Sequence, residues 1–441
     1  RPAETEAKRL RKGVPLWAGL VEKRAIWALE DRVSELRTEA VSAFEEAEAG
    51  FQRALGEVAD DREARSALAS LYYARFGEAE RARDQEGQRY YRQLVLRYDD
   101  GAWSRTIEGN GTLRIDGRSS DLRVRIAHLE LRDRVLTPSS PRDLGRVPIE
   151  AFELPMGSYL LLYGPPGEPE QRHPIRIGRS EDVHVRLRHR TADEVGPGFV
   201  LVPEGTAVIG GDPVAHGSLD RREVWVEEFC MARYPVTCAD YLAFLDDVAK
   251  QSLERARRHV PRARAQEGYY WAWDEAAGCF RLPETTPGGH RWTADLPVNG
   301  VSARDASAYV EWVRQRTGER VRLPKEVEWE KAARGVDGRF FPWGDEFDPI
   351  FCKMKDSRDA PYPEPEPVGA FPIDCSVYGA RDLAGGIREI CWTELEGEFM
   401  PVMRGGCWSD TGLFCRLAFR HVTSMDFVNT GLGFRLAKDL D

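Results

Sequence analysis

The sequence predicts a multi-domain α+β protein: a helical segment over residues 1–100, a small antiparallel β domain over 101–196, and a mixed α/β domain over 197–441. Three observations predict it. The apolar period is near 3.6 in the first hundred residues, falls to 2 after Gly101, and beyond Glu194 gives way to separate helix starts set among glycine-rich and aromatic loops. At 441 residues the chain is also too long for one ordinary core.

In the first segment, from about Leu16 to Leu55, a single stripe of Ile26, Leu29, Val33, Leu36, Ala40, Phe44, Ala47, Phe51 and Leu55 marks one long amphipathic helix. Ala64, Leu68, Leu71, Tyr72 and Phe76, then Tyr90, Tyr91, Leu94, Val95 and Tyr98, mark two more. The stretch Ala64 to Tyr98 resembles one tetratricopeptide-type helical pair, and the segment reads as a stalk. In the second segment, Leu113-x-Ile115, Leu122-x-Val124-x-Ile126, Tyr159-x-Leu161-x-Tyr163 and Ile175-x-Ile177 alternate with turns at Asn110-Gly111, Pro155-Met156-Gly157 and Pro165-Pro166-Gly167. Gly145 to Pro148 and Phe152 to Tyr159 there resemble the β-sandwich module called PEGA, which implies a connector or docking role.

A formal charge of -10 argues against binding to a phosphate backbone, so nucleic acid is not an expected partner. No apolar run of spanning length and no charged-then-apolar leader is readable, which makes the cytoplasm the expected location and a membrane span unexpected. The chain opens at Arg1 with a polar, helical stretch, from which we expect a preceding domain. The eight cysteines all lie in the second half without a Cys-x-x-Cys pair, so most are expected to be reduced, buried and inert.

The third segment carries three helix starts. Thr237-Cys238-Ala239-Asp240 and Ser302-Ala303-Arg304-Asp305 read as capping boxes with aspartate at the third helical position. Pro324 to Arg334 places proline and acids in a first turn and ends at Gly335.

In order and spacing, Phe199 to Gly205, Tyr234-Pro235-Val236-Thr237, Pro297 to Ser302, Arg322 to Gly335, Phe341-Pro342-Trp343-Gly344, Leu383-Ala384-Gly385, Arg404-Gly405-Gly406 and Gly433-Phe434-Arg435 resemble the formylglycine-generating-enzyme (sulfatase-modifying-factor) family. The resemblance implies an irregular variant of the C-type lectin fold. The whole chain, with its helical linker, is similar to the C-terminal region of bacterial serine/threonine kinases fused to such a domain. That implies a kinase as the missing N-terminal partner, since no kinase motif occurs here.

Catalytic members hold copper on two cysteine thiolates after the Gly-Gly turn. The second matches Cys415; the first matches Asp410, a hard carboxylate ill-suited to Cu(I). No catalytic residue is therefore expected and copper is not an expected cofactor, with Cys407 as the one substitute for the missing thiolate. Iron-dependent sulfoxide synthases of the family use histidines on a helical domain, and the first hundred residues hold none. The family's second calcium site maps onto the side chains of Asp382 and Glu389 and the carbonyls of Gly385 and Ile387, a hard donor set suited to structural calcium.

The segment from Arg404 to Arg435 holds aromatics and short polar residues but no Lys, Glu or Gln, a paratope-like composition. Trp408, Asp410, Phe414, His421, Asp426, Phe427 and Asn429 are its expected ligand surface. The leading expectation is a noncatalytic module that recognises a protein or small-molecule ligand in a larger signalling protein. The alternatives are a copper-dependent oxidase of the family and, within the binding class, a retroelement-diversified variable binder.

Overall fold

The computed structural model describes residues 6–7, 9–11, 14, 19–82, 84–99, 101, 103–119, 121–263, 271–285, 291–360 and 362–440. Leu16, the expected start of the long apolar stripe, lies outside them. The chain forms two compact units, Arg1–Asn110 and Gly111–Asp441. Among the described residues no helix is long and apolar enough to cross a membrane.

The first unit is helical: α1 (Leu20–Glu57), α2 (Arg62–Ala82), α3 (Gln85–Tyr98) and the short α4 (Ser104–Glu108). Leu68, Tyr72, Phe76 and Val95 are its buried centre, and Phe44, Phe51 and Leu55 of α1 pack against them. The apolar stripe of α1 is therefore used at Ile26 and along its C-terminal half, while Leu36 and Val41 face solvent. Tyr72 donates to Glu48 at 2.5 Å and Gln52 to Tyr98 at 2.9 Å, so polar tips finish the packing of the aromatic stack.

The second unit begins with eight strands: β1 (Gly111–Gly117), β2 (Arg123–Arg132), β3 (Val135–Pro138), β4 (Arg142–Arg146), β5 (Ile149–Leu154), β6 (Gly157–Gly164), β7 (Gln171–Ile177) and β8 (Asp182–Leu187). One sheet runs β5-β1-β8 and another β3-β2-β6-β7, with β4 also on β2. The β1–β8 pair is parallel, a departure from the all-antiparallel expectation. It arises because the chain crosses from β7, an edge of one sheet, to β8, an edge of the other. The period-two residues Leu113, Ile115, Val124, Ile126, Leu161, Tyr163 and Ile177 fill the space between the sheets.

This β segment shares a core with the C-terminal domain. Leu129 and Leu160 lie in one buried cluster with Val200, Val202, Trp329 and Leu383. Ser158 donates to Asp337 at 2.9 Å, and the Leu136 N–H donates to the Trp343 carbonyl at 2.7 Å. The outer residues of β2 and β6 are apolar enough to be buried a second time, against that domain.

The C-terminal domain contains α5 (Ala192–Val195), β9 (Phe199–Val202), β10 (Gly205–Ile209), β11 (Arg222–Val226), β12 (Phe229–Ala232), α6 (Cys238–Gln251), α7 (Leu253–Arg257), β13 (Ala272–Asp274) and β14 (Cys279–Arg281). It continues with α8 (Ala303–Thr317), β15 (Val321–Arg322), α9 (Glu326–Arg334), β16 (Arg388–Leu395), β17 (Glu398–Arg404), β18 (Arg420–Val422), β19 (Leu432–Gly433) and β20 (Ala437–Asp439). Two four-stranded sheets, β15-β20-β12-β9 and β18-β17-β16-β19, flank the helices. Both expected capping boxes form. Thr237 Oγ1 accepts from the Asp240 N–H at 3.2 Å while the Asp240 carboxylate accepts from the Thr237 N–H at 3.1 Å. Ser302 and Asp305 do the same at 3.2 and 2.9 Å. Gly335 closes α9 at φ 68°.

Helix α9 is anchored by ions. Arg404, fully buried at the end of β17, donates to Glu326 and Glu330 at 2.8 Å each and to the Leu417 carbonyl at 2.7 Å. Arg334 donates to Glu330 at 2.6 Å and Arg420 to Glu326 at 2.6 Å. Burial alone would raise the Glu326 carboxyl, but the Arg420 and Arg404 guanidinia hold it down at about 2. A carboxyl depressed from 4.5 to about 2 contributes stability that is complete above pH 4.5 and lost as pH falls toward 2. Glu326→Gln is accordingly expected to cost about 3–5 kcal/mol at pH 7. It should also flatten the stability profile between those two pH values, both checked by denaturant titration. An unchanged acid limb in the variant would refute the assignment.

Candidate functional site

Two glycine turns build the site. Gly405 has φ 71°, and a Cβ there would stand 2.8 Å from the Leu383 carbonyl oxygen; one on Gly385 would stand 2.2 Å from the Lys353 oxygen. Without side chains the two turns close on each other: the Gly406 N–H donates to the Ala384 carbonyl at 2.9 Å and the Trp408 N–H to the Gly386 carbonyl at 3.2 Å. The Arg404-Gly405-Gly406 and Leu383-Ala384-Gly385 motifs are thus one structure.

Asp410 is buried on that structure. Its carboxylate pairs with Arg388 and accepts the Cys407 N–H at 2.8 Å, and the Arg388 guanidinium lies 5.7 Å from the Phe414 ring centroid. The position matched to a copper thiolate therefore holds one half of an ion pair. Cys415, fully buried, packs with Cys352, Phe341, Trp343 and Ala384. Cys352 lies beside Cys415 in that cluster, and the neighbouring Cys415 thiol, with burial, pushes the Cys352 thiol well above its ordinary range. Cys407 belongs to a different cluster with Ile387 and Trp408, its Sγ 3.3 Å from Ser409 Oγ. Burial and the neighbouring Asp410 push its thiol up to about 11. The thiol that faces Cys415 is Cys352, a partner that sequence spacing did not indicate.

The carboxylates expected to hold calcium, Asp382 and Glu389, both have protein partners. Asp382, at φ 56°, accepts the Gly369 N–H at 2.6 Å. Glu389 receives Arg435 on both oxygens at 2.6 Å and Trp329 Nε1 at 2.8 Å. Beneath them Asp374 accepts the N–H groups of Leu383, Ala384 and Gly385, each at 3.1 Å. Burial and the nearby Asp382 raise the Asp374 carboxyl to about 7; burial chiefly, with Glu389 adding, raises Asp382 to about 6. Asp374 thus lies close to Asp382, and Asp382 close to Glu389, with Arg435 and Arg381 as the neighbouring cations of Asp382. Among the described residues no group of three or more His, Cys, Asp or Glu side chains is placed to hold a metal, so a cation there would depend on backbone carbonyls such as those of Gly385 and Ile387.

The expected ligand surface divides. Trp408 and Asp410 are buried at 9% and 8% exposure, which corrects their assignment to it: the glycine turns draw both inward. Phe414 is half-buried, edge-on to Phe419 at 5.4 Å. His421 is exposed and lies over His216 with centroids 6.1 Å apart. Asp426 is exposed and bound to Arg304 of α8 at 2.7 Å. Phe427 packs on the main core, and Asn429 accepts the Gly431 N–H at 2.7 Å. Leu413, 57% exposed, joins the rim; its loop position carried no periodic signal that would mark it.

Residues 186–440 match the family described as Sulfatase-modifying factor enzyme 1-like domain. The mouse protein named Inactive C-alpha-formylglycine-generating enzyme 2 is 33% identical over 273 residues, 55% of this chain and 85% of that one. The Formylglycine-generating enzyme of Thermomonospora curvata is 30% identical over 57% of this chain and 97% of its own. The Hercynine oxygenase of Mycolicibacterium smegmatis is 35% identical over 210 residues, 44% of each chain.

The Arg388–Asp410 pair makes a quantitative prediction. In a double-mutant cycle of Arg388→Met and Asp410→Asn, the coupling measured by urea unfolding is expected to be at least about 1 kcal/mol. Additive effects would mean that the two side chains do not depend on each other.

Proposed function

Because the chain belongs to the sulfatase-modifying factor enzyme 1-like family, we propose that its C-terminal domain is a noncatalytic recognition module of a larger bacterial signalling protein. One observation carries this reading: the place matched to the first copper thiolate holds Asp410, and that carboxylate is neutralised by Arg388. A two-coordinate Cu(I) centre needs two soft sulfur donors, and an ion-paired carboxylate is a hard one. The ligand, a protein or a small molecule, meets the exposed rim formed by Leu413, His421 and Asp426. The PEGA-like β segment and the helical unit connect that rim to a kinase domain in the cytoplasm. Retroelement-driven variation of the 404–435 segment is the finer form of this reading.

A second reading, a copper-dependent oxidase, is favoured by one observation, the Cys352–Cys415 thiol contact. In our reading the protein does not convert cysteine to formylglycine in a sulfatase-type peptide after copper loading. One Cu(I) per chain that is lost in both Cys352→Ser and Cys415→Ser, with oxygen-dependent oxidation of the peptide, would replace the recognition reading with the oxidase.

We also propose structural calcium at the Asp382 turn, supported by the closeness of the Asp374, Asp382 and Glu389 carboxyls; burial and that closeness raise Asp374 and Asp382. Asp382 and Glu389 would supply carboxylate oxygens and Gly385 and Ile387 carbonyls. Millimolar calcium is expected to raise the melting temperature of the parent and to leave Asp382→Ala unchanged. Equal responses of the two proteins, or none, would remove calcium from the proposal.

A further inference from the structure

Between β7 and β9 lies a cavity of about 240 Å³, walled on its apolar side by Val195, Phe199, Leu201 and Tyr378. Its polar side is cationic, and most of that charge is locally answered. Arg190 is bound by Glu194 at 2.8 Å and Glu228 at 2.7 Å. His189 stands 3.7 Å from Glu168, and Glu170 is taken by Arg125 at 2.8 Å.

Arg172 and Arg233 are the exceptions. Arg172 is half-buried, and its Nε donates to the Val377 carbonyl at 2.6 Å. Among the described residues neither Arg172 nor the exposed Arg233 has a carboxylate within 4 Å, although both line the cavity. Both stand in the wall of the same cavity, on β7 and just after β12. The nearest acids beyond it, Asp374 and Asp382, are engaged by backbone N–H groups of residues 383–385 and of Gly369. Burial without a compensating anion pushes the Arg172 guanidinium below its ordinary range.

Two guanidinia without a carboxylate partner at one apolar-walled cavity each keep N–H groups whose fork geometry suits an oxyanion. We propose that this cavity binds an oxyanion, a phosphate or carboxylate group, on Arg172 and Arg233, with Val195, Phe199 and Leu201 covering the apolar part of the molecule that carries it. The site is separate from the 408–429 rim and does not rest on the recognition reading. It joins β7 to the C-terminal domain, so an occupant would stiffen that junction.

The test uses the full chain, with inorganic phosphate and acetate titrated in parallel at ionic strength held constant with sodium chloride, read by calorimetry and thermal melting. One saturable binding event is expected, weakened at least about tenfold in Arg172→Met and in Arg233→Met. A response to phosphate alone identifies a phosphorylated ligand, and a response to acetate alone identifies a carboxylate. Arg233 is exposed, so its variant tests the site even if Arg172→Met folds poorly. No saturable response to either anion, or equal affinity in the parent and Arg233→Met, would overturn the proposal.

Discussion

Arg404 and Arg435 are both fully buried, and the rest of the C-terminal domain is arranged to answer them. Arg404 joins the end of β17 to Glu326 and Glu330 of α9. Arg435 binds Glu389 of β16 and reaches the carbonyls of Ala232, Arg233, Arg381 and Asp382. Removing a carboxylate partner from a buried guanidinium costs several kcal/mol, so each segment that supplies one is held in place by the penalty for leaving, even though Arg404 Nε itself has no partner among the described residues. A domain with few helices and long irregular loops obtains through these ions the definition that regular packing gives elsewhere.

The same logic explains the glycine turns. Arg404 and Gly405 are neighbours, so fixing the guanidinium also fixes the loop that carries Cys407, Asp410 and Cys415. Asp410 is compatible with this buried place because Arg388, from the facing strand β16, neutralises it. The carboxylate at position 410 is thus met by a second charge on another element, which makes the pair an internal salt link. Cys352 and Cys415 share one buried cluster there, and the Cys415 neighbour together with burial keeps Cys352 a thiol, a poor nucleophile and a poor ligand.

The β segment is best seen as part of the domain it precedes. Its strands have their own core around Leu113, Val124 and Leu161, yet Leu129 and Leu160 belong to the cluster around Trp329. Polar contacts at Ser158 and Arg172 finish the contact, and the arginines along this border leave a local excess of positive charge.

The sequence by itself determined the three long helices of the first unit, though not the short α4 past residue 100, and also the period-two strands, the two capping boxes, the Gly335 stop and the absence of a thiolate at position 410. These rest on periodicity, on bonds spanning three or four residues, or on residue identity within an ordered motif series. Tertiary structure alone decided that Asp410 pairs with Arg388, that Cys415 faces Cys352, that Trp408 turns inward, that Asp374 sits under the Asp382 turn, and that the β segment is packed on both faces. The physical reason is separation along the chain. Arg388 and Asp410 are 22 residues apart, Arg404 and Glu326 are 78, and Arg416 and Asp212 are 204. Such charges carry no local periodicity, and their choice of partner is settled only when folding removes water from between them.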